Sequence, residues 1–302
     1  MIKALEFLKN KLYSNNKKIA DNFHELNESE PGYVSAIDGG SCIIADGGCW
    51  VLAKIKTASV HYDKGERLPG KEKDEEVYYT VIKDKNEYSH SINTLKPEFN
   101  NVRELTEAPA VTMKTLELRH ALKVMKSMPQ GSLLLIDGLL KSDNEGQEAL
   151  LERIKKESEK KGVTVMGLAK TFRHAVNGRS VIGSLIKERP SGKWYYEPVE
   201  DSDCLVVKLH AKSGYAYAVS SFSHSEAKKA LPLLAYYSTD PALIGYPYPL
   251  LKVDRDARVS SHEKHLEKNR LRIICKKNKL DFIEYDEKST DMHSLIDKQK
   301  YR

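Results

Sequence analysis

Residues 132–140 read SLLLIDGLL, four apolar residues in succession from Leu133 to Ile136, then Asp137 and Gly138. A continuous apolar run of that length, bounded by turn residues, is the pattern of a strand buried on both faces of a sheet. The flanking segments fit a strand in that position. Upstream, Ala108 to Met128 has helical apolar spacing and stops before Gly131. Downstream, Glu145 to Lys161 reads as a second helix, closed by Gly162. Glycine is favoured there because helices commonly end on a left-handed residue. Next comes VTVMGLAKT, residues 163–171, another buried strand.

Further out on the N-terminal side lies YVSAIDGGSCIIADGGCWVLAKIKTASVHY, residues 33–62. Its glycine pairs, Gly39-Gly40 and Gly47-Gly48, divide it into strand, turn, strand, turn, strand. The charged stretch Asp63 to Glu76 reads as a loop, and Val77 to Lys83 resumes the sheet. On the C-terminal side, CLVVKLH (204–210) and YAYAVSSF (215–222) are strand candidates. A helix near Ser225 to Tyr237, a loop DPALIGYPYP (240–249) and a long helix from Asp254 to Lys277 follow. Ile2 to Leu26 reads as an amphipathic helix, with Ile2, Leu5, Leu8, Leu12 and Ile19 on one face. Antiparallel strands followed by alternating helix and strand predict an α/β fold, a mixed β-sheet flanked by helices. The expected layout is an N-terminal helix over 1–30, one domain over 31–286 and a polar tail over 287–302.

The 302 residues are 40% hydrophobic, enough for a sizeable core. A net charge of +6 and a pI near 8.8 are compatible with a polyanionic partner, and equally with a lysine-rich solvated surface. Cys42, Cys49, Cys204 and Cys275 form no CxxC pair, which argues against a zinc ribbon or a dithiol redox motif. No apolar run reaches the length needed to cross a bilayer. The first 23 residues mix apolar and charged side chains, unlike a signal peptide. The expectation is a soluble, cytoplasmic protein without a membrane partner.

Three carboxylates interrupt apolar patterns. Asp38 ends the strand VSAI, and Asp137 ends LLLI. Ionising a carboxylate at the tip of a buried strand is costly unless a cation or hydrogen-bond donors meet it. Each Asp-Gly alone also fits a strand-to-loop turn. Glu117 shares a helix stripe with Met113, Ala121, Val124 and Met128, which turns it toward the sheet. A structural pair with Lys114 is the other reading. A set of strand, helix and strand carboxylates can converge on hard divalent cations such as Mg²⁺ or Mn²⁺. Cations so held suit phosphodiester cleavage. The order Asp, Glu, Asp resembles the RNase H superfamily.

Four segments together resemble one family within it, the NurA nucleases. SAIDGGS and LLLIDGLL resemble that family's two aspartate motifs, VTVMGLAKT its following strand ending in a lysine, here Lys170, and GYPYPLLKVDRDARVS its C-terminal motif. The resemblance spans about Ser35 to Ser260. It implies an RNase H-like nuclease domain with Asp38, Glu117 and Asp137 as metal ligands and Tyr246 at the active site. The GYPYP segment by itself also fits a rigid surface turn. Asp254 stands eight residues beyond Tyr246, where many members have a histidine, and becomes the fourth candidate ligand. Glu104 and Glu107 compete with Glu117, while His262 and His265 read as surface residues. Lys170, Arg173 and Arg255 are candidate DNA contacts, with Arg179, Lys187 and Arg258 nearby in sequence. The family is implied to be Mn²⁺-dependent (or Mg²⁺-dependent), digesting DNA from 5′ ends and cutting single strands. Its members are implied to be dimers that work with a HerA-type hexameric ATPase in end resection and double-strand break repair.

Two other readings stay open at this point. IDGGS also resembles the phosphate-binding turn of actin-like and sugar-kinase folds, which implies an ATP-dependent phosphotransferase. Aspartate in place of histidine at position 254 would also suit an inactive, DNA-binding regulatory subunit.

Overall fold

The structure, a computed structural model, describes residues 22–27, 30–69, 74–83, 104–171, 175–176, 179–197 and 204–280. Three parallel strands form its centre: β2 (Val34–Asp46), β6 (Leu133–Asp137) and β7 (Thr164–Ala169). Antiparallel neighbours extend the sheet on both sides. β3 (Val51–Asp63) pairs with β2, and β3 also pairs with β4 (Glu66–Arg67) and β5 (Glu75–Ile82). On the other side β12 (Tyr217–Ser221), β11 (Cys204–Lys208), β10 (Trp194–Tyr196) and β1 (Phe23–Glu25) follow β7 in that order. Together they make a ten-stranded mixed sheet. A separate hairpin joins β8 (Ala175–Val176) to β9 (Arg179–Ser180).

Helices cover both faces. On one, α1 (Ala108–Met125) and α2 (Glu145–Lys161) pack over Ile37, Leu134, Ile136 and Val165. On the other, α4 (His224–Tyr236) and α5 (Tyr248–Ala257) pack over Ala36, Leu133, Leu135, Met166 and Leu168. The two clusters divide each central strand by alternate residues, as the pleat requires. This explains why β6 reads as an unbroken apolar run. A short helix, α3 (Val181–Glu188), a long one, α6 (Ser261–Asn278), and a 3-10 turn at Leu105–Glu107 complete the described elements.

Three local readings need correction. Gly39-Gly40 is not a turn, because β2 runs through it in register with Thr57 and Lys56 of β3. The glycines instead mark close approach of helices to the strand. A Cβ at Gly39 would lie 2.8 Å from Met113 Cγ of α1, and one at Gly40 would lie 2.2 Å from the Ala257 carbonyl of α5. IDGGS is therefore mid-strand and forms no phosphate-binding turn. Second, the single helix expected over Asp254 to Lys277 is two. The chain breaks at Arg258–Ser260, and the Ser260 hydroxyl accepts the Glu263 amide at 3.1 Å to start α6 afresh. Third, Phe23–Glu25 is a strand, although it lies within the stretch read as helix; it pairs with β10, and Phe23 meets Trp194 edge-on at 5.0 Å. The rest of that N-terminal stretch, up to residue 21, and the tail over 287–302 lie outside the described residues.

Candidate metal centre

β2 and β6 are parallel with Ile37 opposite Ile136, so Asp38 and Asp137 follow side by side at the same end of the sheet. Both fall in the alternation of Ala36 and Leu135 and point to the α4–α5 face. There α5 buries Leu250, Val253 and Ala257 against the sheet and presents Asp254 from its last turns. Carboxylate oxygens of Asp38, Asp137 and Asp254 all lie within 4.8 Å of one another. The glycines around the site set this spacing. Gly40 admits the Ala257 carbonyl, and Gly167 of β7 leaves room for the Asp137–Gly138 turn, since a Cβ there would lie 2.5 Å from the Gly138 carbonyl. Gly138 itself has a φ of +84°, a conformation that disfavours other residues.

Glu117 enters from the other face. It is buried on α1, 2% exposed, and accepts a hydrogen bond from Lys114 Nζ at 3.2 Å. The same ammonium donates to the Asp137 carbonyl at 3.2 Å, linking α1 to the end of β6. Glu117 is outside the three-carboxylate cluster but close enough to affect it electrostatically. Its competitors Glu104 and Glu107 are exposed at the start of α1.

The electrostatics are those of crowded acids. Burial, then the charges of Asp137 and Glu117, pushes the Asp38 carboxyl up to about 8, against the opposing pull of Lys170 and the Gly39 amide. Burial also lifts Glu117 to about 7, although Lys114 opposes it. Burial raises Asp254 too, but Lys170 and Arg258 outweigh it and hold that carboxyl below the usual range. Lys170, just beyond β7, donates to Asp137 Oδ2 at 2.9 Å and to Asp254 Oδ1 at 2.6 Å. Arg258 donates to Asp254 Oδ2 at 2.8 Å.

Tyr246 lies at the base of the cluster, 5% exposed, with ring contact to Tyr217 at 5.5 Å. Its hydroxyl is buried and has no hydrogen-bond partner among the described residues. Burial, then the charges of Asp137, Asp38 and Asp254, raises its pKa. An unpartnered hydroxyl beside three carboxylates is costly unless something else shares the space. The donor set of hard oxygens suits Mg²⁺ or Mn²⁺, and a divalent charge would relieve the crowding that lifts Asp38.

Of the other expected residues, Arg255 is exposed on α5, Lys187 is exposed on α3, and His262 and His265 are exposed on α6. Arg173 and the Arg179 side chain lie outside the described residues. Arg258, which the sequence suggests as a phosphate contact or a solvated charge, is instead bound to Asp254. The sequence signal for its tie to Asp254 was their i,i+4 spacing on one helix.

No protein-family model matches the sequence, and no curated protein matches it. Solved structures do match the fold. The NurA nuclease from Sulfolobus solfataricus superposes with a TM-score of 0.60 at 16% identity, over 92% of this chain and 93% of that one. A NurA structure bound to dAMP and manganese gives a TM-score of 0.52 at 12% identity, over 85% of this chain and 92% of that one. What is shared at such identity is the architecture, and the chain has the fold of the NurA nucleases.

Proposed function

We propose that this chain is a divalent-metal-dependent nuclease acting on DNA. The observation that carries the reading is the convergence of Asp38 from within β2, Asp137 from the carboxyl end of the adjacent parallel β6 and Asp254 from α5, with the Tyr246 hydroxyl, unpartnered among the described residues, beneath them. A neighbour of the same fold binds dAMP and manganese, which supports Mn²⁺, or Mg²⁺, as the cofactor. Asp38, Asp137 and Asp254 would hold the cation, with Glu117 acting on it from α1. Such a cation supplies Lewis acidity and lowers the pKa of a bound water.

The chain's own groups do the rest. Lys170 stands between Asp137 and Asp254 and offers its ammonium to a phosphate oxygen once a cation shares those carboxylates. Arg258 fixes the Asp254 rotamer. Tyr246 presents a hydroxyl to the reacting phosphate or the attacking water. Lys170, Arg173 and Arg255 are the proposed DNA contacts. The finer reading is a 5′–3′ exonuclease and single-strand endonuclease, formed by one nuclease domain over 31–286. It would act as a cytoplasmic homodimer with a HerA-type hexameric ATPase in end resection and double-strand break repair.

A second reading, a DNA-binding regulatory subunit without cleavage, is favoured by one observation: Lys170 already pairs with two of the three carboxylates, Asp137 and Asp254. The test is degradation of end-labelled duplex and single-stranded DNA with Mn²⁺, Mg²⁺ or EDTA, for wild type and for Asp38→Ala and Asp137→Ala. Metal-dependent cleavage abolished in both variants is expected. Binding without cleavage under either metal would sink the nuclease reading in favour of the second.

A further inference from the structure

A cleft of about 490 Å³ runs between α1 and α2 on the outer side of the helix layer, apart from the carboxylate cluster. Arg119, Lys123 and Lys126 line one wall, and Arg153, Lys156 and Lys160 line the other. Glu157 is the one acid in the lining, and Leu122 and Leu150 form an apolar floor.

The spacing on each wall is helical. Arg119, Lys123 and Lys126 are i, i+4, i+7, and Arg153, Lys156 and Lys160 are i, i+3, i+7. Each ladder therefore runs about 10 Å along its helix, at 1.5 Å per residue. Like charges three and four apart on one helix destabilise it, so folding alone gives no reason for two such ladders to face each other. Lys123 is held by Glu76 at 2.5 Å. Among the described residues, Lys126, Arg153, Lys156 and Lys160 have no carboxylate partner. The whole chain carries a net charge of only +6, so this cleft concentrates much of the excess.

We propose that the α1–α2 cleft is a second nucleic-acid contact, binding the phosphate backbone of a strand that extends beyond the carboxylate cluster. The substrate class rests on the nuclease reading above; the charge pattern does not. Two cationic ladders track a line of phosphates, and the shallow apolar floor accepts sugar edges without reading sequence. α1 connects the two places, since it carries Lys114 and Glu117 at the carboxylate cluster and Arg119 to Lys126 in the cleft.

The test is fluorescence anisotropy of a labelled 30-nucleotide single strand in EDTA, from 50 to 300 mM NaCl. The proteins are wild type, the cleft variant R153Q/K156Q/K160Q and a charge-matched control on α6, R272Q/K276Q/K277Q. EDTA makes the readout independent of cleavage, so it stands whether or not the chain is a nuclease. The expected result is at least roughly tenfold weaker binding by the cleft variant at 100 mM salt. Its slope of log K against log salt should be shallower by about 2, at about 0.7 per lost contact on a single strand. The control should stay near wild type. An unchanged slope, or an equal loss in the control, overturns the proposal. Displacement of the strand by polyglutamate at equal charge, weakened in the same variant, overturns it in favour of an acidic polypeptide.

Discussion

Tyr246 and Asp38 are both placed where folding alone would not put them. Among the described residues the Tyr246 hydroxyl is buried without a partner, which costs about 1–3 kcal/mol. Tyr246→Phe removes only that atom. The variant should be as stable as wild type or more so in urea unfolding, yet cleave DNA roughly 100-fold more slowly, the loss typical of one donor at a reacting centre. Unchanged cleavage would show the hydroxyl to be structural. Asp38 makes the same point through pH. Its carboxyl rises from an ordinary 3.8 to about 8, so folding takes up a proton between those values. A group that binds a proton on folding contributes less stability as pH rises, so the metal-free protein should weaken from about pH 4 to pH 8 and then level off. Asp38→Asn should flatten that decline and raise the Tm at pH 7.5 in EDTA, while abolishing cleavage. A lower Tm for the asparagine variant would contradict the crowding of carboxylates. Asp38 was legible in the sequence as a carboxylate out of pattern, and Tyr246 only through the family resemblance. Their burial was not, because it depends on α5 closing over the strand ends.

At the scale of elements, the chain was easiest to read where one element announces itself. β6, α2 with its Gly162 stop, and β7 lie where the apolar run, the 3.6 period and the glycine place them. Reading failed where a residue serves a neighbour distant in sequence. Gly39-Gly40 looked like a turn because the sequence does not show the helices that press on it. Gly40→Ala tests that account: its Cβ would meet the Ala257 carbonyl at 2.2 Å, a backbone atom that cannot rotate away. The substitution should destabilise by about 1–3 kcal/mol through overpacking and lower cleavage by displacing Asp254, without altering any carboxylate. Wild-type stability in denaturant would refute it. α6 poses a different problem, since Leu266, Ile273 and Ile274 are exposed and Cys275 is its buried residue. What docks it is polar. Lys54 of β3, 7% exposed at its side chain, donates to Glu263 at 2.7 Å and Glu267 at 2.9 Å, and Tyr79 donates to Glu267 at 2.8 Å. Lys54→Met removes the buried ammonium that joins both acids to β3 and leaves Glu267 only Tyr79 and Arg270, so hydrogen exchange over 261–278 should speed up while β6 stays protected. Glu267 is held below its ordinary pKa by Lys54, so this docking is present above about pH 4.5 and fades as pH falls through the lowered value.

Across the whole molecule, the site exists because three segments distant in sequence meet where β6 ends beside the middle of β2 and under α5. Asp38 comes from the first long strand, Asp137 from the next parallel strand and Asp254 from a helix more than a hundred residues further on. The Asp38 and Asp137 motifs were visible as short apolar runs ending in Asp-Gly. The third carboxylate of the cluster was not derivable from pattern, since Asp254 reads as an ordinary helix-surface residue until α5 is packed on β2. The same long-range assembly gives the molecule a reporter that no single segment possesses. A cation that binds the assembled cluster and not the unfolded chain stabilises by RT ln(1 + [L]/Kd), about 2.7 kcal/mol at a hundredfold excess over Kd. For a chain of this size that corresponds to a Tm rise of about 4 °C. Manganese should therefore raise the wild-type Tm in a concentration-dependent way, and EDTA should reverse it. Asp137→Asn and Asp254→Asn, which leave shape and volume nearly unchanged, should each reduce the response, and the double variant should lose it. Asp254→Asn is the sharper of the two. If it responds to manganese as wild type does, α5 closes the sheet without contributing a ligand, and the centre is a two-aspartate site with Lys170 as its permanent third member.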